Sequence, residues 1–182
     1  MAKGKNREIY LVLHDIRSVH NAGAIFRTAD AIGVSKIYLT GYTPAPKDRY
    51  GRERSDFAKS ALGAEKTVPW ESAKSAAAVL KKLTCEGFFI FALEQDKRAV
   101  DYKKARPRAK TALVLGNETR GVPKSILKIC DEIIEIPMRG KLARNRLPDD
   151  VGKESLNVSV AGGIALFRIF DRNWKLSQKF RD

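Results

Sequence analysis

Short apolar runs alternate along the chain with stretches whose apolar residues recur every three or four positions. The runs at residues 9–13, 36–40, 88–92, 111–115 and 132–136 have strand length and are apolar nearly throughout, rather than at every second residue. Such runs belong to strands buried on both faces. Helical periodicity predicts helices over 22–32, 71–83, 124–130 and 156–170; the second carries Glu71 in its first turn and a lysine pair near its end, and Pro123 opens the third. Residues 41–59 form one long polar stretch with no clear period. Alternation of this kind predicts an α/β fold with helices on both faces of a mainly parallel sheet. No internal repeat or linker divides the sequence, so residues 1–182 are expected to form a single domain.

Composition narrows the class without changing that picture. Of the 182 residues 43% are hydrophobic and 31% charged, a globular balance that excludes collagenous, low-complexity and wholly disordered chains. Lysine and arginine total 35 against 21 acids, a formal charge of +14. A field of that size favours a polyanionic partner or a membrane surface. No apolar run approaches the ~18 residues of a membrane span, and the basic start is followed by only a brief apolar stretch, so a soluble, cytoplasmic protein is expected. Cys85 and Cys130 are too few for a disulfide scaffold or a thiolate zinc site, and no cluster has metal-ligand spacing, so no metal is expected.

Charge is uneven. Residues 97–110 hold seven basic side chains and one acid, Asp101, while residues 42–54 mix Lys47, Arg49, Arg52 and Arg54 with Tyr42 and Tyr50. Cations beside exposed rings suit RNA, where phosphates meet the charges and unpaired bases meet the rings. Either segment read alone is equally an ordinary solvated loop.

In a parallel sheet the ligand sits beyond the carboxyl ends of the strands, so the loops that follow them are the candidate sites. Leu115 ends a strand and leads into Gly116-Asn117-Glu118-Thr119-Arg120-Gly121-Val122, a turn whose glycines allow close backbone approach but which matches neither a P-loop nor GxGxxG. In the helix starting near His20, Gly23, Arg27 and Ala31 share one face. Arg27 is therefore expected to stand in open space among small neighbours, free to grip a phosphate, or else to pair with Asp30 at the surface. The third place is Ile136-Pro137-Met138 together with Ser155-Leu156-Asn157-Val158-Ser159 and the small residues Ala161, Gly162 and Gly163. Ser155 reads as the N-cap of the last helix, while Asn157 and Ser159 suit a helix interior poorly unless their side chains bind something.

Taken together and in order, these three segments resemble the motifs of the SpoU (TrmH-type) RNA 2′-O-ribose methyltransferases of the SPOUT superfamily. The first runs from Asn21 through Arg27 to Ala29, the second from Leu113 through Glu118 to Val122, and the third joins 136–138 to 155–161; Ala61-Leu-Gly-Ala-Glu65 is similar as well. The resemblance implies a deep trefoil knot in the C-terminal part, which periodicity alone could never suggest because knots are nearly absent from proteins. It also implies S-adenosylmethionine as cofactor, an RNA substrate (tRNA or rRNA) and a homodimer. By position it assigns cofactor contacts to Leu115, Gly116, Gly121, Ile136, Met138, Ser155 and Leu156. The family's functional polar positions fall on Asn21, Arg27, Glu118, Ser155 and Asn157.

The implied reaction is an in-line displacement, which needs the methyl carbon and the ribose oxygen held near contact distance. An arginine keeps its proton through the ordinary pH range and so makes a poor base. Arg27 is accordingly expected to position a phosphate and the 2′-oxygen and to stabilise developing negative charge, with the proton's final acceptor left open. Asn21 and Asn157 would orient substrate or Arg27, and Glu118 would shape the loop and pocket.

Two departures stand out. Sixteen residues separate Met138 from Ser155, including Lys141, Arg144 and Arg146, where the family usually has a handful; this is either an RNA-contacting flap or a tolerated surface loop. Thr119 and Arg120 replace commonly small residues, which predicts a somewhat different turn. The chain carries no separate N-terminal RNA-binding domain of the kind many rRNA-directed members have, an economy that favours tRNA. The competing reading is a non-catalytic basic RNA-binding protein that kept the fold, and methylation of a base nitrogen remains an alternative to the ribose.

Overall fold

The computed structural model describes residues 7–140 and 155–170. Seven strands form one sheet: β1 (Glu8–His14), β2 (Lys36–Thr40), β3 (Trp70–Ala73), β4 (Phe89–Leu93), β5 (Val100–Asp101), β6 (Lys110–Leu115) and β7 (Glu132–Glu135). Their spatial order is β3-β2-β1-β6-β4-β7-β5, and every pairing is parallel. The helices are α1 (Val19–Ile32), α2 (Ser55–Ala61), α3 (Ala64–Thr67), α4 (Ala76–Cys85), α5 (Lys124–Leu127) and α6 (Val158–Phe170), with a 3₁₀ turn at Tyr102–Lys104.

The apolar runs are continuous because alternate residues feed two cores. Leu11, Leu13, Phe91, Leu113 and Leu115 point into a layer shared with residues of α1, α2, α3 and α6. Val12, Ile90, Ala92, Ala112 and Val114 point the opposite way, into a layer shared with α4 and α5. Parallel strands covered on both faces leave almost no position for a polar side chain. Among the described residues no helix is long and apolar enough to cross a membrane.

Several boundaries differ from expectation for local reasons. The helix expected over 71–83 begins only at Ala76, because residues 70–73 pair with β2 as an edge strand and Ser75 caps the helix by accepting from the Ala78 amide at 3.2 Å. Glu71 therefore lies on a strand, where it accepts a 2.7 Å bond from Lys36, and it does not stand at a helix N-terminus. The polar stretch 41–59 contains the start of α2, which buries Phe57 and Ala61. At the other end of the sheet β5 is only two residues long. Helix α1 starts earlier than expected, with Ser18 accepting from the Asn21 amide, and α5 ends earlier, at Leu127.

Gly23 also has a different purpose from the one its spacing suggested. A Cβ there would lie 2.7 Å from Ser60 Cβ and 2.9 Å from the Phe57 carbonyl oxygen, so its small size lets α1 and α2 close together, with Phe26 and Phe57 meeting edge to face at 5.2 Å.

Topology fixes where a ligand can sit. From β1 the chain passes to β2 on one side, and from β6 it passes over β4 to β7 on the other, so the strand order reverses between the adjacent β1 and β6. Crevices in open α/β sheets lie at such points, beyond the carboxyl ends of the strands. The path from β7 to α6, where the knot implied by the resemblance would be threaded, includes residues 141–154; these, with Lys141, Arg144 and Arg146, lie outside the described residues.

Candidate active site

The loops that leave β4, β6 and β7 enclose a cavity of about 770 Å³, closed on a fourth side by the segment entering α6. Three neighbouring strands thus deliver their carboxyl ends to one place. Leu115, Gly116, Gly121, Ile136, Met138, Ser155 and Leu156 all lie on its wall, as do Glu118 and, unforeseen from the sequence, Glu94 and Asn117. The volume falls within the range of pockets that hold drug-sized or nucleoside-sized ligands.

The loop after β6 folds back on itself tightly. Asn117 and Gly121 exchange backbone hydrogen bonds of 3.2 and 2.9 Å, and Gly121 adopts a left-handed φ of 65°. A Cβ at Gly121 would run into the Glu94 carboxylate, which accepts from the Val122 amide at 2.6 Å and from the Gln95 amide at 2.9 Å. The loop after β4 is thereby fastened to the loop after β6. Asn117, only 6% exposed, does the rest: its Nδ2 donates to the Asp15 carbonyl and to the Tyr42 hydroxyl, both at 2.8 Å. Its Oδ1 accepts from the Thr119 amide, the Thr119 hydroxyl and the Arg120 amide. Thr119 thus takes part in the turn through its hydroxyl, which is how this loop accommodates the departure noted in the sequence.

Glu118 reaches from this loop to the start of α1. Its carboxylate accepts from the backbone amides of Arg17 (2.9 Å) and Ser18 (3.0 Å) and from Asn21 Nδ2 (2.9 Å). Burial alone would push the carboxyl up, but the Arg17 amide, the Asn21 side chain and the Ser18 amide together hold it below the ordinary glutamate range. Asn21 Oδ1 in turn accepts from Asn157 Nδ2 at 3.0 Å. Two hydrogen bonds spanning 97 and 136 positions therefore join three motif residues into one chain, Glu118 to Asn21 to Asn157.

Because its folded pKa is depressed, Glu118 contributes stability that is present above the ordinary glutamate pKa and is lost as pH falls through the folded value. Glu118→Gln presents an amide group to donors that need acceptors, so it is expected to lower stability by about 1–3 kcal/mol at neutral pH. Urea unfolding at neutral pH and near pH 3 checks this: the gap between the two proteins should shrink in acid. A gap independent of pH would contradict the assignment.

The third motif is arranged differently from expectation. Ser155 is exposed and precedes the helix, and the cap is Asn157, whose Oδ1 accepts from the Ser159 amide (2.9 Å) and hydroxyl (2.6 Å). Asn157 and Ser159 are thus first-turn residues, where polar side chains that accept from free amides are favoured. Gly162 lets α6 close on the sheet, since a Cβ there would lie 2.8 Å from Leu115 Cδ1, and Gly163 faces Thr28 of α1.

Arg27 is not on the cavity wall. It is exposed, lies about 120° around α1 from Asn21 at 100° per residue, and has no hydrogen bond or ion pair among the described residues. The alternative pairing with Asp30 is not formed; Asp30 accepts instead from the Thr67 hydroxyl at 2.6 Å. The basic segment 97–110 is itself divided. Lys97 lines the cavity, whereas Arg106, Arg108 and Lys110 lead into the amino end of β6, at the opposite end of the sheet. Of the cysteines, burial pushes the Cys130 thiol up to about 12, which makes it inert, and Cys85 is exposed at the end of α4.

Comparison with known proteins agrees with this architecture. Residues 8–167 match the SpoU rRNA Methylase family. The 23S rRNA (guanosine-2′-O-)-methyltransferase RlmB of Ralstonia nicotianae is 35% identical over 159 residues, which cover 87% of this chain and 57% of that protein. This chain therefore spans a little over half the length of that relative. Among solved structures, the A. aeolicus TrmH/SpoU tRNA modifying enzyme superposes with a TM-score of 0.75 at 28% identity, covering 94% of this chain and 79% of that one. The AdoMet-bound rRNA methyltransferase from Sinorhizobium meliloti gives 0.74 at 27% identity, covering 88% and 55%. With the second and third motifs contributing to the wall of one cavity at the carboxyl ends of a parallel sheet, the chain belongs to the SpoU rRNA methylase family.

Proposed function

We propose that the chain is a cytoplasmic, homodimeric RNA methyltransferase that uses S-adenosylmethionine to methylate a ribose 2′-hydroxyl. The observation that carries this reading is the cavity formed where β4, β6 and β7 end, with the Glu118–Asn21–Asn157 chain beside it. The lining suits the cofactor's chemistry. Leu93, Leu115, Ile136, Met138 and Leu156 offer apolar surface for a purine.

When bound, the cofactor would supply an electrophilic methyl group on a sulfonium sulfur. The chain's own residues hold the partners in line. Leu115, Gly116, Gly121, Ile136, Met138, Ser155 and Leu156 would enclose the cofactor, and the Gly116–Gly121 turn, clamped by Glu94 and Asn117, would keep that enclosure in shape. Glu118 fixes the start of α1 through the Arg17 and Ser18 amides, and so sets the position of Asn21, which with Asn157 orients the nucleotide. Arg27, exposed and unpaired among the described residues, would grip an RNA phosphate and so help to position the neighbouring 2′-oxygen.

The Ralstonia relative is named for 23S rRNA and the A. aeolicus structure for tRNA. The brevity of the chain thus gains no support as a sign of tRNA preference, and both RNAs belong in any assay. A purely RNA-binding role is separated by calorimetry with S-adenosylmethionine. Saturable binding at one site per chain supports the enzymatic reading; no binding favours the alternative.

The dimer has physical support in α6, whose only polar residues are Ser159 and Arg168. Gly162, Leu166 and Ile169 are buried on the sheet side, while Val160, Ile164 and Phe167 (48% exposed) form a stripe on the opposite face. A helix of that kind is ordinarily covered on both sides, and a second copy of the chain is the cover that the family resemblance implies. Phe167→Asp is expected to convert the dimer to monomer in sedimentation experiments. A wild-type protein that sediments as a monomer would refute the dimer.

A further inference from the structure

Tyr42 is 54% exposed, yet it is held at both ends. Its backbone N–H donates to Asp15 Oδ1 at 3.1 Å, and its hydroxyl accepts from Asn117 Nδ2 at 2.8 Å. Gly41 ahead of it has a left-handed φ of 66°, where a Cβ would collide with the Asp15 carboxylate. The Asn117 amide that holds the hydroxyl also holds the Asp15 carbonyl and closes the turn leading from Glu118. The ring therefore stands on the same pair of loops, 15–18 and 117–118, that grips Glu118.

No ring or cation stacks on Tyr42 among the described residues. Tyr50, eight positions on, is different: the Arg49 and Arg52 guanidinium carbons lie 4.7 and 5.1 Å from its ring centre, and Arg52 is further fixed by a 2.8 Å bond to Asp48. One half of the 42–54 loop thus carries ordered cations, and the other half a bare aromatic face. An aromatic side chain whose torsions are already fixed loses little entropy when a planar group lands on it.

We propose that Tyr42 is a stacking platform for an unpaired base of the RNA substrate, at or next to the nucleotide that is methylated, with Arg49 and Arg52 taking flanking phosphates. The inference rests on the methyltransferase reading and extends it. It identifies the substrate as a splayed, single-stranded nucleotide, because a base inside a duplex shows no face to a ring.

The test uses the full chain with unmodified tRNA and 23S rRNA transcripts. Equilibrium binding and methyl transfer are measured for the wild type, Tyr42→Leu, Tyr42→Phe and Tyr42→Trp. Loss of the ring in Tyr42→Leu is expected to weaken RNA binding and raise KM roughly tenfold relative to Tyr42→Phe; both variants lack the hydroxyl that accepts from Asn117, so any fall in Tm or S-adenosylmethionine affinity is shared between them. Tyr42→Phe and Tyr42→Trp keep a ring and retain most of the RNA affinity. The slope of log affinity against log salt should be unchanged in Tyr42→Leu but should fall by about one in Arg52→Ala, because only the latter loses a phosphate contact.

RNA affinity unchanged in Tyr42→Leu would overturn the proposal with the enzymatic reading intact. Tyr42→Phe matching Tyr42→Leu, with cofactor affinity lost in both, would also overturn it, since the hydroxyl would then be serving only the loop. A wild type that methylates neither transcript counts against the enzymatic reading, and the binding comparison then decides the role of Tyr42 by itself.

Discussion

Arg27→Ala is expected to abolish methyl transfer while leaving S-adenosylmethionine affinity and Tm unchanged. The side chain is exposed, makes no hydrogen bond or ion pair among the described residues, and is absent from the cavity wall, so its removal disturbs neither packing nor cofactor contacts. A guanidinium on α1 that is exposed and unpaired among the described residues is free to meet an anion of the substrate. Loss of a group that aligns a phosphate and stabilises developing charge typically lowers kcat by about a hundredfold or more. Arg27→Lys keeps the charge but not the two-pronged geometry and should fall between the two proteins. Radiolabelled methyl transfer measures kcat, and calorimetry measures cofactor binding. Lost cofactor affinity in Arg27→Ala would refute the assignment.

Gly116→Ala is expected to have the opposite profile, with cofactor binding lost and the protein destabilised. A Cβ at this position would sit 2.6 Å from the Gly121 carbonyl carbon and the Val122 nitrogen and 2.7 Å from the Gly121 oxygen. All three are backbone atoms in a turn closed by the reciprocal Asn117–Gly121 bonds and tied to Glu94 through Val122, so no flexible side chain can swing aside. The loop must open, and it forms the cavity wall. Forced overpacking of this sort destabilises by about 1–3 kcal/mol, a Tm fall of several degrees for a domain of this size. Gly140→Ala is the control, because a Cβ there has nothing within 4 Å among the described residues. Calorimetry and thermal unfolding check both; wild-type cofactor affinity in Gly116→Ala would contradict this account of the loop.

The sequence was informative where burial is complete and uninformative where partners are distant. The five strands β1, β2, β4, β6 and β7 were legible because they carry buried apolar runs, whereas β3 was hidden: an edge strand with exposed Glu71 and Ser72 shows no apolar run, and its Glu71 imitates the first turn of a helix. The seven residues of α2 were too few to stand out from a polar stretch. Within the site, Gly116 and Gly121 announced a tight turn, and the motif order pointed to Asn21, Glu118 and Asn157. Asn117 gave no such sign, because its role depends on Asp15 and Tyr42, which lie 102 and 75 positions away. Glu94 was equally silent, an ordinary acid after a strand until the Val122 amide is seen beside it. Ser155 was misjudged as a cap because Asn157, two residues later, offers the better placed acceptor.

Transfer of labelled methyl from S-adenosylmethionine to unmodified tRNA and, separately, to unmodified 23S rRNA, followed by nucleoside analysis, tests the central claim most directly. A 2′-O-methylated nucleoside released from one of the two RNAs is the result expected. A label found on a base nitrogen, or no transfer to either RNA by protein that binds both RNA and cofactor, would contradict it.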